Sequence, residues 1–300
     1  MQELGIDIET YSSNDLPSCG VYKYVEAEDF TILLFAYSVD GGPVTCCDFA
    51  QGEELPEEIL EALRDPKVVK TAFNAAFERI CISKYYGWPL MDPAQWRCTM
   101  VRAARMGLPL SLGQCGEVLK LADGKMKEGS ALIRYFSCPT RKKDGTIVRH
   151  LPSDAPDRWE VFVKYNIRDV EVEQAILKIV RRLEPADFDE ELYTVDQLIN
   201  DRGVMIDRQL VDNAARFDEE YKQHLLAEAQ ELSGMDNPNS PSQIKEYLQK
   251  VTGQVFQSLN KKSLDDIEDS LKYWPKARKV LALRREMGKT SNKKYCAMQQ

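Results

Sequence analysis

The early part of the chain shows strand signals at several places, as alternation of hydrophobic and polar residues with a period of two or as short apolar runs. The predicted strands cover about residues 3–9, 30–39, 44–49 and 67–73. A loop rich in Ser, Asn, Pro and Gly is predicted from the first strand to Gly20. Asp40-Gly41-Gly42 predicts a turn that joins the second and third strands into a hairpin.

Further along, apolar positions recur at the helical period. Helices are predicted over about residues 56–63, 74–86, 95–106, 111–121, 129–136 and 157–183. Helical patterns alone follow, over about residues 188–201, 207–232, 241–251, 264–272 and 275–298. Glu184-Pro185-Ala186-Asp187 interrupts the helical pattern between the two sets. The pattern therefore predicts an α/β domain with a mixed sheet over residues 1–185 and an all-helical segment over residues 186–300.

The first predicted strand carries a close pair of acids. Ile6 and Ile8 lie on one face of the strand, so Asp7 and Glu9 point together from the other. Water relieves their repulsion on a half-exposed strand, and a cation relieves it inside a sheet. Hard divalent ions such as Mg²⁺ prefer carboxylate oxygens. From this stretch alone, a solvated acidic face and a metal-binding edge are both open.

Asp169 lies within an apolar stripe of the longest predicted helix. At about 100° per residue it falls beside Tyr165, Val172 and Ile176. Burying a lone carboxylate is costly, so this side chain needs a cationic partner, a proton or a metal. Tyr165 lies one helical turn earlier, so its phenol projects from the same face.

Glu78 repeats this pattern on the helix that follows Asn74. It shares a face with Cys81 and Ile82, and Asn74 lies one turn before it. For Glu78 and for Asp169 the alternative is a structural ion pair with Arg or Lys. Three separate stretches with inward acids favour one shared metal site, because pairs of carboxylate-bound Mg²⁺ or Mn²⁺ ions catalyse phosphodiester chemistry.

Composition narrows the chemistry further. The chain has two histidines, His150 and His224, and eight scattered cysteines without a CxxC pair. A zinc site, a Ser-His-Asp triad and a disulfide framework are therefore disfavoured, and the ligands of a metal should be carboxylates. The sequence has no apolar run of membrane-spanning length and no signal-peptide pattern. We expect a soluble, cytoplasmic protein with no membrane partner.

Charge is unevenly distributed along the chain. The net charge of −8 disfavours a generic nucleic-acid binder. Residues 272–294, however, contain nine basic residues and one acid, Glu286. Such a run fits both a solvated helix face and a surface that contacts a phosphate backbone.

Three motifs occur in order: Asp7-x-Glu9, Asn74-x-x-x-Glu78 and Tyr165-x-x-x-Asp169. Together they resemble the three exonuclease motifs of the DEDDy 3′–5′ exonuclease superfamily. The flanking residues in Phe73–Arg79 and Tyr165–Glu171 are more similar still to the proofreading domain of bacteriophage-type family A DNA polymerases. The superfamily usually has Asp where this chain has Glu78, and phage-type members resemble this chain in having Glu. The resemblance implies an RNase H-like (DnaQ-like) fold and a metal-dependent 3′–5′ exonuclease.

Later segments resemble the same polymerases. The stretch Asp196–Asp207 is similar to the segment that enters the polymerase body, and Ser240–Lys245 and Gly288–Tyr295 are similar to pieces of the thumb. The aspartate-bearing palm motifs do not occur in the sequence up to Gln300. We therefore expect a proofreading domain followed by the start of a thumb region, truncated before the palm and fingers, and no nucleotide polymerisation by this chain alone.

The resemblance also implies roles for the motif residues. Asp7 would bridge two ions, Mg²⁺ or Mn²⁺. Glu9 and Asp169 would complete the site of the first ion, and Glu78 would hold the second through water. Tyr165 would orient the attacking water and not accept its proton, since a phenol titrates near ~10.

Thr10, Asn74 and Phe77 are the expected contacts to the terminal nucleotide. Capping of the following helix is the alternative for Asn74. Phe73, Phe77 and Trp96 could wedge bases, and a place in the core is the alternative for each. The implied partners are DNA, as a single-stranded or frayed 3′ end and as a primer–template duplex, and the palm and fingers of a full-length polymerase. The basic run 272–294 would contact the duplex backbone.

Two other functions stay open. RNase D-type exoribonucleases share the tyrosine version of the motifs, although the stretch Asp196–Asp207 favours the polymerase. An exonuclease-like fold retained as a catalytically silent DNA-binding module is the second alternative. The presence of all five motif side chains favours activity over that module.

Overall fold

The computed structural model describes residues 1–121, 126, 128–142, 144–182 and 187–299. The chain divides into two compact units, Met1–Gly203 and Val204–Gln300. The domain boundary predicted near residue 185 lies outside the described residues. Among the residues that are described, no helix is long and apolar enough to span a membrane.

A mixed five-stranded sheet forms the centre of the first unit. Its strands are β1 (Glu3–Tyr11), β2 (Thr31–Val39), β3 (Val44–Asp48), β4 (Val69–Ala72) and β5 (Trp96–Cys98). They lie in the order β3-β2-β1-β4-β5. Strand β2 is antiparallel to β1 and β3, whereas β4 runs parallel to both β1 and β5. This order, with one antiparallel strand next to the central one, is the RNase H-like arrangement that the motifs imply, and the mixed α/β fold class is confirmed.

Helices cover both faces of this sheet. They are α1 (Leu16–Tyr24), α2 (Glu57–Arg64), α3 (Ala76–Tyr85), α4 (Thr99–Arg105), α5 (Leu112–Val118), α6 (Gly129–Phe136), α7 (Pro156–Val180) and α8 (Asp187–Arg202). On one face, Ile6 and Ile8 of β1 belong to a core shared with Ile80 of α3. On the other, Leu34 of β2 packs in a core with Phe162 of α7. Because both faces are covered, β2 is apolar along nearly its whole length.

Several predicted elements match, and two predictions are wrong. Helix α6 covers the predicted residues 129–136. The helix predicted over 95–106 begins at Thr99, because Trp96–Cys98 forms β5, a strand too short to show a period of two. The loop predicted up to Gly20 contains α1, in which Gly20 has a φ of 74° and joins two helical pieces at a kink. A short hairpin, β6 (Thr140–Arg141) and β7 (Ile147–Val148), was not predicted.

The second unit is helical throughout the residues that the structure describes, as the sequence predicts. Its helices are α9 (Arg208–Ser233), α10 (Pro241–Thr252), α11 (Lys261–Ser270), α12 (Pro275–Met287) and α13 (Lys293–Gln299). Its main core includes Ile244 of α10 and Val280 of α12. The single helix predicted over 275–298 is wrong, because α12 ends at Met287 and α13 begins at Lys293.

Candidate metal centre and active site

Strand β1 places two acids at the centre of the sheet. Ile6 and Ile8 pack into the core, so Asp7 and Glu9 project from the opposite face. Glu9 is buried and Asp7 is half-buried. The register between β1 and β2 shifts between Glu9 and Thr10. Such an irregularity bends a strand and redirects its side chains, as is common beside functional sites.

Asp169 of α7 joins these two acids. One carboxylate oxygen from each of Asp7, Glu9 and Asp169 lies within 4.8 Å of the others. Oxygen ligands that bind a Mg²⁺ or Ca²⁺ ion at about 2.0–2.6 Å are separated by at most about 5 Å. The separation of these carboxylates therefore fits a shared divalent ion, and the structure brings together three of the four predicted metal ligands.

Glu78 lies on α3, outside this close group, and faces the same cavity. Its side chain is buried, and its Oε2 has no hydrogen-bond partner among the described residues. Burial raises the pKa of Glu78 well above its ordinary value, and the negative charges of Asp7, Glu173 and Glu9 raise it further. A backbone hydrogen bond favours the carboxylate, but burial and the neighbouring acids oppose its ionisation more strongly, and a divalent cation would favour it.

Tyr165 lies on α7 one turn before Asp169. Its ring is 1% exposed and stacks on Phe162, with ring centroids 6.1 Å apart. Burial raises the pKa of the Tyr165 phenol, and the charges of Glu9 and Asp169 and a hydrogen bond with Asp169 raise it further. The phenol is therefore neutral and acts as a hydrogen-bond donor among carboxylates.

Asn166 is a site residue to which the sequence analysis assigns no role. It is fully buried, and its Nδ2 donates to Asp7 Oδ2 at 2.6 Å and to the Asp7 carbonyl oxygen at 3.2 Å. At its other end, Asn166 Oδ1 accepts a contact from Cys46 Sγ at 3.5 Å. These bonds fix the orientation of the Asp7 carboxylate. Asn166 directly follows Tyr165 and lies at an inward position of the predicted helix, and this amide at a buried position was the sequence signal for it.

The predicted substrate contacts occupy another wall of the cavity. Thr10 Oγ1 and the Tyr24 hydroxyl are 2.8 Å apart. The Tyr24 ring packs against Phe77, with centroids 6.1 Å apart. Tyr24 was missed because no helix was predicted over α1, whose first half falls in the loop predicted up to Gly20.

Asn74 does not cap helix α3. The helix begins at Ala76, with Ala75 at the capping position and no side-chain capping bond. Asn74 has a φ of 82°, a left-handed conformation that asparagine tolerates better than most residues. The helix-capping alternative is therefore wrong. The wedge role considered for Trp96 is also wrong, because this side chain is fully buried in the core.

All eight predicted site residues line one cavity of about 730 Å³. They are Asp7, Glu9, Thr10, Asn74, Phe77, Glu78, Tyr165 and Asp169. The remaining wall includes Leu16 of α1, Ile133 of α6, and Cys138. A volume of this size accommodates a nucleotide-sized ligand.

Comparison with known proteins gives one strong match. No family model matches the chain. A DNA polymerase of Bacillus phage SP02 is 49% identical over 301 residues, a match that covers 100% of this chain and 46% of the polymerase. Among solved structures, Brucella melitensis NrnC is 13% identical with a TM-score of 0.42, covering 66% of this chain and 81% of NrnC. Escherichia coli RNase D, an exoribonuclease, is 16% identical with a TM-score of 0.40, covering 97% of this chain and 71% of RNase D.

The two structural likenesses are too distant to carry a functional argument. The match to the phage polymerase does carry weight, because 49% identity extends over the whole of this chain. The chain spans less than half the length of that relative. The resemblance to a phage DNA polymerase that the motifs predicted is confirmed: this chain is similar, from end to end, to part of the DNA polymerase of Bacillus phage SP02.

Proposed function

We propose that the first unit is a metal-dependent 3′–5′ exonuclease that removes 5′-mononucleotides from single-stranded or frayed DNA, as the proofreading part of a DNA polymerase. The observation that carries this proposal is the group of Asp7, Glu9 and Asp169, whose carboxylate oxygens lie within 4.8 Å of one another in a cavity that Glu78 and Tyr165 also line. The similarity to a phage DNA polymerase supports DNA as the substrate.

The donor set fits divalent cations. Asp7, Glu9 and Asp169 would hold one ion, and Glu78, whose Oε2 is buried without a hydrogen-bond partner among the described residues, would contribute to a second. Divalent ions in such sites lower the pKa of water and stabilise the leaving oxygen of a phosphodiester. The carboxylates supply oxygen ligands alone, which suits Mg²⁺ or Mn²⁺.

Tyr165 orients the attacking water in this proposal. Its phenol stays protonated because burial and the neighbouring carboxylates raise its pKa. A protonated phenol donates a hydrogen bond and cannot accept the proton of the water. The role of Tyr165 is therefore positioning of the nucleophile.

The wall opposite the carboxylates suits an unpaired terminal nucleotide. The half-buried ring of Phe77, which packs against the buried ring of Tyr24, offers an aromatic surface, and a base stacked on such a surface gains about 1–3 kcal/mol. Thr10 and Asn74 place polar groups at the same cavity. A duplex end cannot present a single base to this wall, so we infer that the substrate is a frayed or single-stranded 3′ end.

The direct test is degradation of 5′-labelled DNA and RNA oligonucleotides of the same sequence by the full chain, in Mg²⁺, in Mn²⁺ and in EDTA. We expect stepwise shortening of the DNA from its 3′ end with either metal and none in EDTA. Asp7→Ala should reduce the rate by on the order of 10³-fold, because several kcal/mol of metal-dependent stabilisation is lost. Glu61→Ala, which removes an exposed acid on α2, is the matched control and should leave the rate unchanged.

Three outcomes would count against the proposal. Undiminished cleavage by Asp7→Ala would show that the proposed metal centre is not needed for the reaction. Faster shortening of RNA than of DNA would favour the RNase D-type alternative. Binding of DNA by the unmutated chain, without cleavage in either metal, would identify a silent binding module.

A further inference from the structure

Gly129 is buried at the start of α6, directly against the ring of Tyr165. A Cβ atom built on Gly129 would overlap Cε2 of that ring and would lie 2.7 Å from both Cδ2 and Cζ. Real Cβ atoms essentially never come within 3.0 Å of another heavy atom. Gly129 does not have a positive φ, so space, and not backbone conformation, requires glycine at this position.

The ring of Tyr165 has little freedom to move away from a side chain at position 129. Phe162 stacks on it, and the ring is 1% exposed within a cluster that also includes Trp159 and Phe136. Its hydroxyl bonds to Asp169. Close-packed interiors transmit such displacements to neighbouring groups. A shift of the ring would therefore carry the hydroxyl away from the carboxylates.

We propose that Gly129 is a positioning residue for Tyr165: its bare Cα lets α6 begin against the ring and thereby fixes where the phenol hydroxyl lies beside Glu9 and Asp169. This inference rests on the proposed exonuclease function, in which that hydroxyl orients the attacking water. Helix α6 also carries Ile133 on the cavity wall. The same helix therefore limits the cavity and holds the ring that acts within it.

Gly116 provides a matched comparison. It is also a buried helical glycine, on α5, and α5 packs against α7 as α6 does. A Cβ on Gly116 would lie 3.6 Å from Val172 Cγ1 and 3.7 Å from Leu121 Cδ1, which are ordinary van der Waals contacts. A methyl group should be tolerated at Gly116 and not at Gly129.

The experiment compares Gly129→Ala with Gly116→Ala in the full chain. For Gly129→Ala we expect kcat to fall by roughly 10²-fold, the effect of moving a positioned group by about 1 Å. KM for DNA and the affinity for Mn²⁺, measured by EPR titration without substrate, should stay within about twofold of the unmutated values. Gly116→Ala should match the unmutated protein in all three measurements.

A double-mutant cycle with Tyr165→Ala separates positioning from general damage. Removing the ring removes the overlap, so Gly129→Ala should cause no further loss of kcat or of urea stability in that background. The cycle also covers a Gly129→Ala protein that fails to fold, because the double variant should fold like Tyr165→Ala alone.

The outcomes distinguish this inference from the function on which it rests. Equal kcat for Gly129→Ala and Gly116→Ala, or a rise in KM without a fall in kcat, would overturn the positioning role and leave the exonuclease proposal intact. If the unmutated chain cleaves no DNA, the exonuclease proposal and the catalytic role of Gly129 both fail. The stability cycle would then still show whether the glycine and the ring are coupled.

Discussion

Glu78 and Arg79 are neighbours on α3 and both are buried, but Arg79 has a counter-charge in the protein and Glu78 lies among charges of its own sign. Arg79 Nη1 and Nη2 donate to the two carboxylate oxygens of Asp201 at 2.9 and 2.6 Å, and Nη1 also donates to the Met91 carbonyl oxygen at 2.9 Å. Glu78 faces the carboxylates of Asp7 and Glu9, which raise its pKa. On one side of α3, Asp201 neutralises the buried charge of Arg79. On the other side, Glu78 adds to a group of negative charges.

This contrast separates the structural charge of Arg79 from the charge that we propose to be functional, that of Glu78. The bidentate pair with Asp201 neutralises the Arg79 charge, although the buried Nε of Arg79 has no hydrogen-bond partner among the described residues. A buried acid among other acids is stable as a carboxylate when a cation is supplied from outside. Burial alone does not distinguish the two residues, whereas the sign of the nearest charges does.

The largest effect should come from breaking the structural pair. Arg79→Met leaves Asp201 without its guanidinium partner and should lower the free energy of unfolding by about 3–5 kcal/mol. Urea denaturation followed by circular dichroism measures the change. Lys23→Met removes one partner of an exposed ion pair with Glu26 and should change the stability by less than about 1 kcal/mol. If Arg79→Met were as mild as this control, the assignment of Arg79 as a structural charge would be wrong.

Replacing Glu78 should have the opposite effect on stability from replacing Arg79. Glu78→Gln removes a carboxylate whose ionisation is opposed in the absence of metal, so the metal-free protein should be as stable as the unmutated one, or more stable. The proposed exonuclease activity should fall by roughly 10²-fold, because Glu78 is a proposed metal ligand. Parallel urea titrations and cleavage assays test both statements. A loss of stability in the range expected for Arg79→Met would instead make Glu78 a structural residue.

Asn166 tests whether the carboxylate cluster depends on a neutral neighbour. Asn166→Ala removes the bond to Asp7 Oδ2, so the carboxylate loses its fixed orientation. Loss of such a supporting bond typically lowers metal affinity by about 10–100-fold. Calorimetric titration with Mn²⁺ measures the change, and Asn200→Ala, at an exposed position on α8, is the control. An unchanged affinity for Mn²⁺ would show that the hydrogen bond from Asn166 does not contribute to metal binding by Asp7.

Glu173 is an intermediate case, because it is a buried acid with a hydrogen-bond partner in the protein. The pKa of Glu173 is raised to about 7 from an ordinary 4.5, because burial raises it more than a hydrogen bond from Thr99 and the charges of Arg181 and Arg102 lower it. Between these two pKa values the folded state binds the proton and the unfolded state does not. The free energy of unfolding should therefore fall as the pH rises from about 4.5 to 7, by at most about 1.4 kcal/mol per pH unit from this group.

Glu173→Gln should reduce that dependence on pH. Urea titrations at several pH values between 4.5 and 7 measure the slope for both proteins. Identical slopes would mean that Glu173 does not carry a raised pKa. A steeper slope in Glu173→Gln would mean that the hydrogen bond from Thr99 favours the carboxylate more than burial opposes it.

Local pattern in the sequence was enough to predict four of the five strands of the sheet, the long helix α7 and the inward direction of Glu78 and Asp169. Those features depend on periods of two and 3.6 residues, which are visible within a single segment. The structure brings the predicted acids to one cavity, and their metal-binding role remains a proposal. Helix α1 was missed because it contains Gly20 and Pro17, and helical propensity alone argues against such a segment.

Other features of the site depend on contacts between distant segments. The need for glycine at position 129 becomes visible only with the ring of Tyr165 beside it, 36 positions further along the chain. The left-handed backbone of Asn74 and the bond from Asn166 to Asp7 are likewise set by packing and not by local pattern. Tertiary contacts of this kind override propensity, and no single segment of the sequence records them.

Helix α8 is held to the rest of the first unit by the same pair that neutralises Arg79. Asp201 near its end also accepts from the Tyr22 hydroxyl at 2.7 Å, and Glu190 near its start accepts from Arg102 at 2.8 Å. A fragment that ended near residue 185 would lose Asp201 and leave the Arg79 guanidinium buried without a counter-charge. A fragment that ended at Gly203 would keep both attachments. Excision of the first unit as an independent protein should therefore retain α8, even though that helix contributes no residue to the cavity described above.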